Sequence, residues 1–190
     1  MNENPRCPWS HGSELYQQYH DSEWGVPLRE DRGQFEFLIL EGAQAGLSWI
    51  TILKKRDNYR RAFDQFDAER IAAYDDKDRA RLLADAGIVR NRLKIDAAIS
   101  NARACLRLRD SGTSLDEFLW RYVDGKPIVN RFRTMGDVPA TTELSDRISR
   151  DLKKAGFRFV GSTIVYSFMQ ATGMVNDHLL SCPRHAALSV

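Results

Sequence analysis

The chain has 190 residues, with 28 basic and 26 acidic side chains, four histidines and three cysteines. A composition of 43% hydrophobic and 28% charged residues excludes a disordered or collagen-like chain, and a net charge of +2 leaves the class of partner open. No run reaches the roughly 20 apolar residues that span a bilayer, no secretory signal opens the chain, and three scattered cysteines make no disulfide framework, so we expect a cytoplasmic protein without membrane contact.

Residues 1–32 are predicted to be an irregular segment that packs on the body of a single domain of residues 1–190. The segment holds three of the six prolines, two tryptophans, two tyrosines and two of the four histidines. It has no helical periodicity and cannot fold alone. Some feature must therefore fasten it to the rest of the chain.

From Gln34 onward the hydrophobic pattern becomes helical, beginning with a face that carries Phe35, Leu38 and Ile39. The later predicted helices are, in chain order, residues 68–74 capped by Asp67, a stretch capped by Asp75 or Asp76 that reaches Ala86 and is stopped by Gly87, Arg90–Leu108, Leu115–Tyr122, a helix from Thr142 or Ser145 to Ala155 stopped by Gly156, and Thr163–Thr172 stopped by Gly173. Alternating strand patterns are hard to find, and residues 126–142 look irregular. The sequence predicts an all-α fold with two helical lobes.

Four side chains have the chemistry of a zinc site. His178 and Cys182 are four residues apart and would point the same way on a helical turn, while Cys7 and His20 lie in the irregular N-terminal segment. Two thiolates and two imidazoles are a common tetrahedral set for structural zinc, which would fasten the two ends of the chain together. The alternatives are ordinary buried cysteines and surface histidines, with His11 and His185 as competing ligands and Cys105 as a core residue.

A second feature is a hairpin between two predicted helices, at about residues 146–172. Its turn, Lys153–Gly161 (KKAGFRFVG), is bounded by glycines and offers backbone N–H groups to a phosphate. The basic side chains that cluster there are Arg147, Arg150, Lys153, Lys154 and Arg158, and two further basic groups occur at residues 54–61 and 90–94. These patterns favour nucleic-acid binding, against the alternative of solvated helix faces.

A third feature is Glu41, which follows an apolar run and shares a helix face with Phe37 and Leu38. A carboxylate in such surroundings either pairs with a cation or lines a pocket. Aromatic residues that could wall a pocket are nearby in sequence, although a lone glutamate is more often on a helix surface.

These features, in this order, resemble the DNA-3-methyladenine glycosylase I family from about Cys7 to Cys182. The blocks that carry the resemblance are Tyr19–Pro27 (YHDSEWGVP), Leu40–Trp49 (LEGAQAGLSW), Asp85–Ile95 (DAGIVRNRLKI), and Gly156–Gln170 (GFRFVGSTIVYSFMQ) continuing to Val175–His178 (VNDH). The family resemblance implies a helix-hairpin-helix DNA glycosylase fold with one structural zinc ion.

The resemblance also implies a role for each matching residue. Cys7, His20, His178 and Cys182 match the zinc ligands. The base pocket matches catalytic Glu41 with Tyr16, Tyr19, Trp49, Trp9, Trp24 and Ser167. Expected DNA contacts are Gly46 and Leu47 in a loop that enters the duplex gap, and Lys153, Lys154, Gly156, Arg158 and Gly161 in the hairpin. Asp177 adjoins a zinc ligand, and we expect a structural role for it.

The implied substrate is 3-methyladenine in double-stranded DNA, released by hydrolysis to leave an abasic site. No lysine is placed near the start of the hairpin helix to form a Schiff base, so we expect a monofunctional enzyme that does not cut the strand. We also expect a monomer, since nothing in the sequence suggests an oligomer. A catalytically idle DNA-binding member of the same fold is the first alternative. The second is a zinc-clasped helical module that docks proteins; a zinc hydrolase is less favoured because four ligands fill the site.

Overall fold

The computed structural model describes residues 6–189 and is mostly helical, as predicted. Its α-helices are α1 Glu14–Ser22, α2 Asp31–Gln44, α3 Trp49–Ala62, α4 Ala68–Ala72, α5 Asp76–Ala84, α6 Arg92–Asp110, α7 Leu115–Trp120, α8 Glu143–Lys154, α9 Ser162–Ala171 and α10 Pro183–Ala187. Strands β1 Ile128–Val129 and β2 Val175–Asn176 form a short parallel pair. Within the described residues, no helix is long and apolar enough to cross a bilayer.

The N-terminal segment contains a helix where an irregular structure was predicted. Helix α1 begins at an N-cap, where the Ser13 hydroxyl accepts a hydrogen bond from the backbone N–H of Tyr16. Tyr16, Tyr19 and His20 follow the spacing of one helix face, and the last two are buried. This pattern is only one turn long, which is why it did not register as periodicity. Residues 1–5 and residue 190 lie outside the described residues.

Capping residues set the ends of the middle helices. Asp67 and Asp75 accept hydrogen bonds from the first turns of α4 and α5, as predicted for Asp67 and for one of the two alternatives at α5. The prediction that Gly87 ends α5 is wrong. Helix α5 already stops at Ala84, because the Asp85 carboxylate accepts the N–H of Gly87 at 2.7 Å and closes a turn there.

Helix α2 lies at the centre of the molecule and contacts α3, α6, α7 and α9. Nine of its fourteen residues are buried, on every side of the helix. It therefore joins the helices α3–α6 to the hairpin of α8 and α9, and a single continuous apolar core runs through both groups. Glu41 sits near the C-terminal end of this buried helix.

Two backbone hydrogen bonds join the N-terminal segment to the C-terminal end of α9. The N–H of Gly25 donates to the carbonyl of Gln170, and the N–H of Leu28 donates to that of Thr172, both at 3.0 Å. Gly173 is required at this crossing, since it has a φ of +70° and a Cβ there would come within 2.5 Å of the backbone of residues 26 and 27. The segment is thus held against the hairpin.

The β1–β2 pair anchors the long connection between α7 and α8. Ile128 is paired with Val175 and Val129 with Asn176, so Asn130 arrives beside Asp177. Two residues per strand are too few to give an alternating sequence pattern. The pair directs the following residues, which include Met135 and Val138, over the end of α9.

Candidate functional site

A cavity of about 200 Å³ opens between α1, α2 and α9. All seven residues predicted for a base pocket line it: Trp9, Tyr16, Tyr19, Trp24, Glu41, Trp49 and Ser167. The remaining lining residues are Gln44, Met135, Val138, Gln170 and Asp177. The structure therefore gathers side chains from four separate parts of the sequence around one small space.

Glu41 is the only one of these groups whose pKa is strongly displaced by burial alone. It is 4% exposed and makes no hydrogen bond or ion pair within the described part of the chain. Burial raises the pKa of its carboxyl to about 8, because the low-dielectric surroundings disfavour the charged form. A buried carboxyl without a partner is costly and points to a ligand that completes it.

Two buried donors on the same cavity also lack partners. The hydroxyl of Tyr19 and the indole N–H of Trp49 make no hydrogen bond within residues 6–189. Their rings contact each other with centroids 5.6 Å apart, and Phe37 stacks on Trp49 from the apolar side. Burial, reinforced by the carboxyl of Glu41, holds the pKa of Tyr19 well above its usual range, so this hydroxyl keeps its proton and remains a donor.

Trp9 and Trp24 complete the wall and also reach the Cys/His cluster described below. Trp9 packs edge-on against Tyr16 and Trp24, with centroids 5.3 and 5.0 Å apart. Trp24 in turn contacts the ring of His178 at 4.6 Å. Sequence reasoning left open whether these tryptophans face the cavity or pack on the metal ligands, and in the structure they do both.

The described residues thus give the cavity aromatic surfaces, one carboxyl without a partner and two unpaired donors in a confined space. Aromatic faces attract a flat cation, and a carboxylate favours positive charge on the same ligand. Unpaired donors select a ligand that carries acceptors on its edge. The arrangement suits a planar, cationic heterocycle with both donor and acceptor atoms.

Asp177 lies on the cavity but is already occupied by hydrogen bonds. Its carboxylate accepts from the hydroxyl of Tyr166 at 2.6 Å, the amide of Asn130 at 2.6 Å and the amide of Gln170 at 2.9 Å. These bonds connect α9 to the start of the irregular connection. They agree with the structural role that we expect for Asp177.

The four predicted ligands come together as a buried cluster beside the cavity. Cys7, His20, His178 and Cys182 place their candidate ligand atoms within 4.8 Å of one another, so the predicted grouping is confirmed. Cys182 Sγ is 3.6 Å from His20 Nε2 and 3.7 Å from His178 Nδ1, and Cys7 Sγ is 3.7 Å from His178 Nδ1. This cluster can hold a metal ion.

The second nitrogen of each clustered histidine has its own partner. His20 Nδ1 is 2.8 Å from the Asp21 carboxylate, and His178 Nε2 is 3.0 Å from the carbonyl of Trp24. Such partners fix the ring orientation and leave the other nitrogen free to bind a metal. The competing ligands are excluded, because His11 is exposed and His185 instead faces the carbonyl of Asn130 at 2.7 Å.

The loop between α2 and α3 stands at the rim of the cavity. Gly46 has a φ of +79°, Leu47 is 41% exposed, and a shallow notch lined by both residues shares Glu41 and Ser167 with the cavity. Lys94 holds the loop by donating from Nζ to the carbonyls of Ala43 and Ala45, at 2.8 and 2.6 Å. An apolar side chain is therefore presented to solvent on a fastened loop.

The glycine-bounded hairpin forms as predicted. Helix α8 ends at Lys154, Gly156 turns the chain with a φ of +95°, and Gly161 is the N-cap of α9. The cationic side chains Lys153, Lys154 and Arg158 are all exposed, although Lys154 also contacts Asp151 at 3.3 Å. The hairpin thus carries free positive charge on a rigid turn.

Several side chains of the other two basic groups, at residues 54–61 and 90–94, are used in ion pairs or hydrogen bonds within the protein. Arg56 makes a paired contact with Glu23, and Arg60 does so with Glu36. Lys94 is occupied by the loop carbonyls. Cys105, predicted to be a core residue, is half-buried on α6.

Sequence reasoning missed four residues that line the cavity. Gln44 was accessible to it, because it lies three residues after Glu41 on the same helix face. Gln170 follows Ser167 in the same way on α9. No sequence pattern indicated that Met135 and Val138 line the cavity, because their position depends on the pairing of the two-residue strands β1 and β2.

The chain is similar in sequence and in structure to known proteins. A model of the methyladenine glycosylase family matches residues 9–185. The chain is 51% identical over 177 residues to DNA-3-methyladenine glycosylase 1 of Escherichia coli, covering 93% of this chain and 95% of that protein. A crystal structure of 3-methyladenine DNA glycosylase I is 53% identical, with a TM-score of 0.92 over 94% of this chain and 98% of its own. A tyrosine-to-phenylalanine variant of such a glycosylase in complex with 3-methyladenine is 36% identical, with a TM-score of 0.91 over 95% and 97% of the two chains.

Proposed function

The chain belongs to the methyladenine glycosylase family, and from that premise we propose that it removes 3-methyladenine from alkylated double-stranded DNA. It is a glycosylase that hydrolyses the N-glycosidic bond and leaves an abasic site. The observation that carries the assignment is Glu41, a buried carboxyl without a partner in an aromatic cavity. We also propose that one domain acts as a cytoplasmic monomer.

Recognition follows from the chemistry of the lesion. Methylation at N3 makes the base cationic, whereas normal adenine is neutral. Tyr16 and Trp49 would stack on the flat cation, worth about 0.5–2 kcal/mol, and Glu41 would accept hydrogen bonds from the exocyclic amine. The unpaired donors of Tyr19 and Trp49 would meet acceptor atoms on the base edge. Burial keeps Glu41 protonated at neutral pH, and a cationic base favours its ionised form, whereas a neutral adenine gains no such ion pair, which supplies discrimination.

The chemical step needs little acid catalysis. The bond between the base and C1′ of the sugar breaks, and its electron pair neutralises the positive charge of the departing base. Water then bonds to C1′ of the cationic sugar and loses a proton. We propose that Glu41 favours the positive charge of the bound base and can orient that water, and that no lysine takes part.

Access to the base requires that the nucleotide leaves the duplex. We propose that Leu47, displayed by Gly46 on its fastened loop, fills the gap that the extruded base leaves. The hairpin of α8 and α9 is assigned to the helix-hairpin-helix class, in which Lys153, Lys154 and Arg158, with the backbone of Gly156–Gly161, hold phosphates without reading sequence.

Zinc is proposed as the metal of the Cys/His cluster. Tetrahedral zinc with Zn–S near 2.3 Å and Zn–N near 2.0–2.1 Å places sulfur and nitrogen about 3.6 Å apart, and the observed separations are 3.6–3.7 Å. When bound, zinc would join the two ends of the chain. Four protein ligands fill its shell, so the role is structural.

The test is base release from methylated duplex DNA, with products separated by chromatography. The wild type should release free 3-methyladenine, and Glu41→Gln should release it at least about a hundredfold more slowly while still folding and binding metal. A matched control is Glu36→Gln, a carboxylate on the same helix that pairs with Arg60 outside the cavity. If neither wild type nor control released a base while both bound the DNA, the protein would be an idle member of the fold and this proposal would be wrong.

A further inference from the structure

A second concave surface lies outside the cavity and is lined mainly by arginines. This arginine groove, with a volume of about 590 Å³, runs between α5, α6 and the hairpin turn. Its cationic members are Arg79, Arg92, Arg103, Arg107 and Arg158. Two carboxylates, Asp76 and Asp96, are its acidic members. Positive charge therefore predominates.

Three of these arginines lie along one face of α6. Arg92 and Arg103 are eleven residues apart, which is about three helical turns, and Arg107 follows one turn later. From Arg92 to Arg107 the stripe is about 22 Å long at 1.5 Å per residue. Along B-DNA that length corresponds to about six base pairs at 3.4 Å each. The stripe is therefore long enough to contact several successive phosphates of a DNA backbone.

Hydrogen bonds to backbone carbonyls orient two of these guanidinium groups but use only a few of their N–H donors. Arg103 donates from Nε to the carbonyl of Ala72 at 2.9 Å, and Arg107 donates from Nη2 to that of Ala155 at 3.4 Å. Each guanidinium has five N–H donors, so most remain available. Arg158 makes no side-chain hydrogen bond or ion pair among the described residues.

Both acids of the groove pair with the same arginine, which balances one of their two negative charges. Arg79 contacts Asp76 and Asp96, each at 2.9 Å. Arg92 is 75% exposed and lies 3.8 Å from Asp96, which is a loose contact. The arginines other than Arg79 thus keep a net positive field toward solvent.

The stripe is continuous with both proposed DNA contacts. At the start of α6, Lys94 holds the loop that carries Leu47. Farther along, the Asn101 side chain donates to the carbonyl of Arg158 at 3.0 Å and accepts the N–H of the same residue at 2.7 Å. Helix α6 therefore runs from the edge of the gap-filling loop past the hairpin turn.

We propose that the arginine groove binds the phosphate backbone of the same DNA duplex, outside the damaged nucleotide. This inference rests on the proposed glycosylase function and extends the DNA footprint along α6. Among the described residues that line the groove none is aromatic, so no base could stack there, and the charge of the groove matches a phosphate run. It would increase affinity for any duplex and would not select the lesion.

The test compares two double variants that remove equal charge. Arg92→Gln with Arg103→Gln alters the groove. Arg32→Gln with Arg61→Gln is the control, because both are exposed and lie about 18 Å along α2 and α3 from the loop that joins these helices. Affinity for an undamaged 20-base-pair duplex is measured by fluorescence anisotropy between 50 and 200 mM salt.

The groove variant should reduce the salt slope by about 2, since each phosphate contact contributes about 0.9. Its affinity deficit should therefore shrink about tenfold across that salt range, whereas the control should behave as the wild type does. Because Arg103 also ties α6 to α4, the single variant Arg92→Gln is tested too, with an expected loss of about 1 in the slope. Thermal unfolding verifies that each variant folds.

Base release separates this inference from the function on which it rests. With enzyme in excess and the substrate saturated, the groove variant should release base at the wild-type rate, because neither changed residue lines the cavity. An unchanged salt slope with normal base release would overturn the groove and keep the glycosylase. A reduced slope in a protein that releases no base would keep the groove and overturn the glycosylase.

Discussion

Replacement of Glu41 by glutamine should stabilise the protein at neutral pH while it slows base release by the factor given above. The carboxyl has an ordinary pKa of 4.5 and a pKa of about 8 in the folded protein. Below pH 4.5 both the folded and the unfolded chain keep the proton, and burial of this group costs little extra. Between these two values the unfolded chain ionises and the folded chain does not, so the free energy of unfolding falls as the pH rises.

The size of the effect follows from that interval. Each pH unit within it costs about 1.36 kcal/mol, and pH 7 is about 2.5 units above the ordinary value, which gives a penalty of about 3 kcal/mol. Glutamine does not ionise, so the variant does not lose this free energy of unfolding as the pH rises. Above pH 8 the folded protein also ionises, and the difference between the two proteins stops growing.

Urea denaturation of wild type and Glu41→Gln at pH 5, 6, 7 and 8 measures this difference directly. Other titrating groups, including the Cys/His cluster, are common to both proteins and cancel in the comparison. Glu14→Gln, at an exposed position of α1, is the matched control and should give a difference that is nearly flat with pH. If Glu41→Gln is also flat, the carboxyl is not held in a desolvated, unpaired state and the reasoning about the cavity fails.

Two further predictions concern the surroundings of the cavity. Metal analysis of the purified protein should find about one zinc per chain, and Cys182→Ser should lose the metal and lower the melting temperature by several degrees; full zinc content in this variant would disprove the ligand assignment. Asp177→Asn should lower the free energy of unfolding by about 1–3 kcal/mol in urea denaturation, because its amide nitrogen would face either the Asn130 donor or the donors of Tyr166 and Gln170, which bind different carboxylate oxygens. Base release by this variant should stay within about tenfold of wild type, and a loss as large as that of Glu41→Gln would show that Asp177 acts in the chemistry.

The sequence was most informative where spacing and chemistry agreed over a short distance. His178 and Cys182 meet as their four-residue spacing indicated, although the segment between β2 and α10 is a non-helical turn and not the predicted helical one. The run before Glu41 made burial of that carboxyl predictable. The partnership of this pair with Cys7 and His20, more than 150 residues away, followed from the donor set and not from local spacing. The structure confirms that grouping.

Other parts of the site depended on contacts that no local pattern encodes. Met135 and Val138 reach the cavity only because Ile128 and Val129 pair with a distant strand. Lys94 has the appearance of a phosphate ligand in the sequence, yet its ammonium is used by two carbonyls of the α2–α3 loop. Charge predicts a preferred type of partner, and only the fold decides which partner is within reach.

The metal cluster and the cavity are connected through one short helix. Helix α1 carries His20 into the cluster and, one residue earlier, Tyr19 into the cavity, while Trp24 contacts both His178 and the cavity wall. A movement of α1 that separates His20 from the other ligands would also withdraw an unpaired donor and an aromatic face from the base site. The cluster and the cavity therefore depend on the same placement of α1 and Trp24.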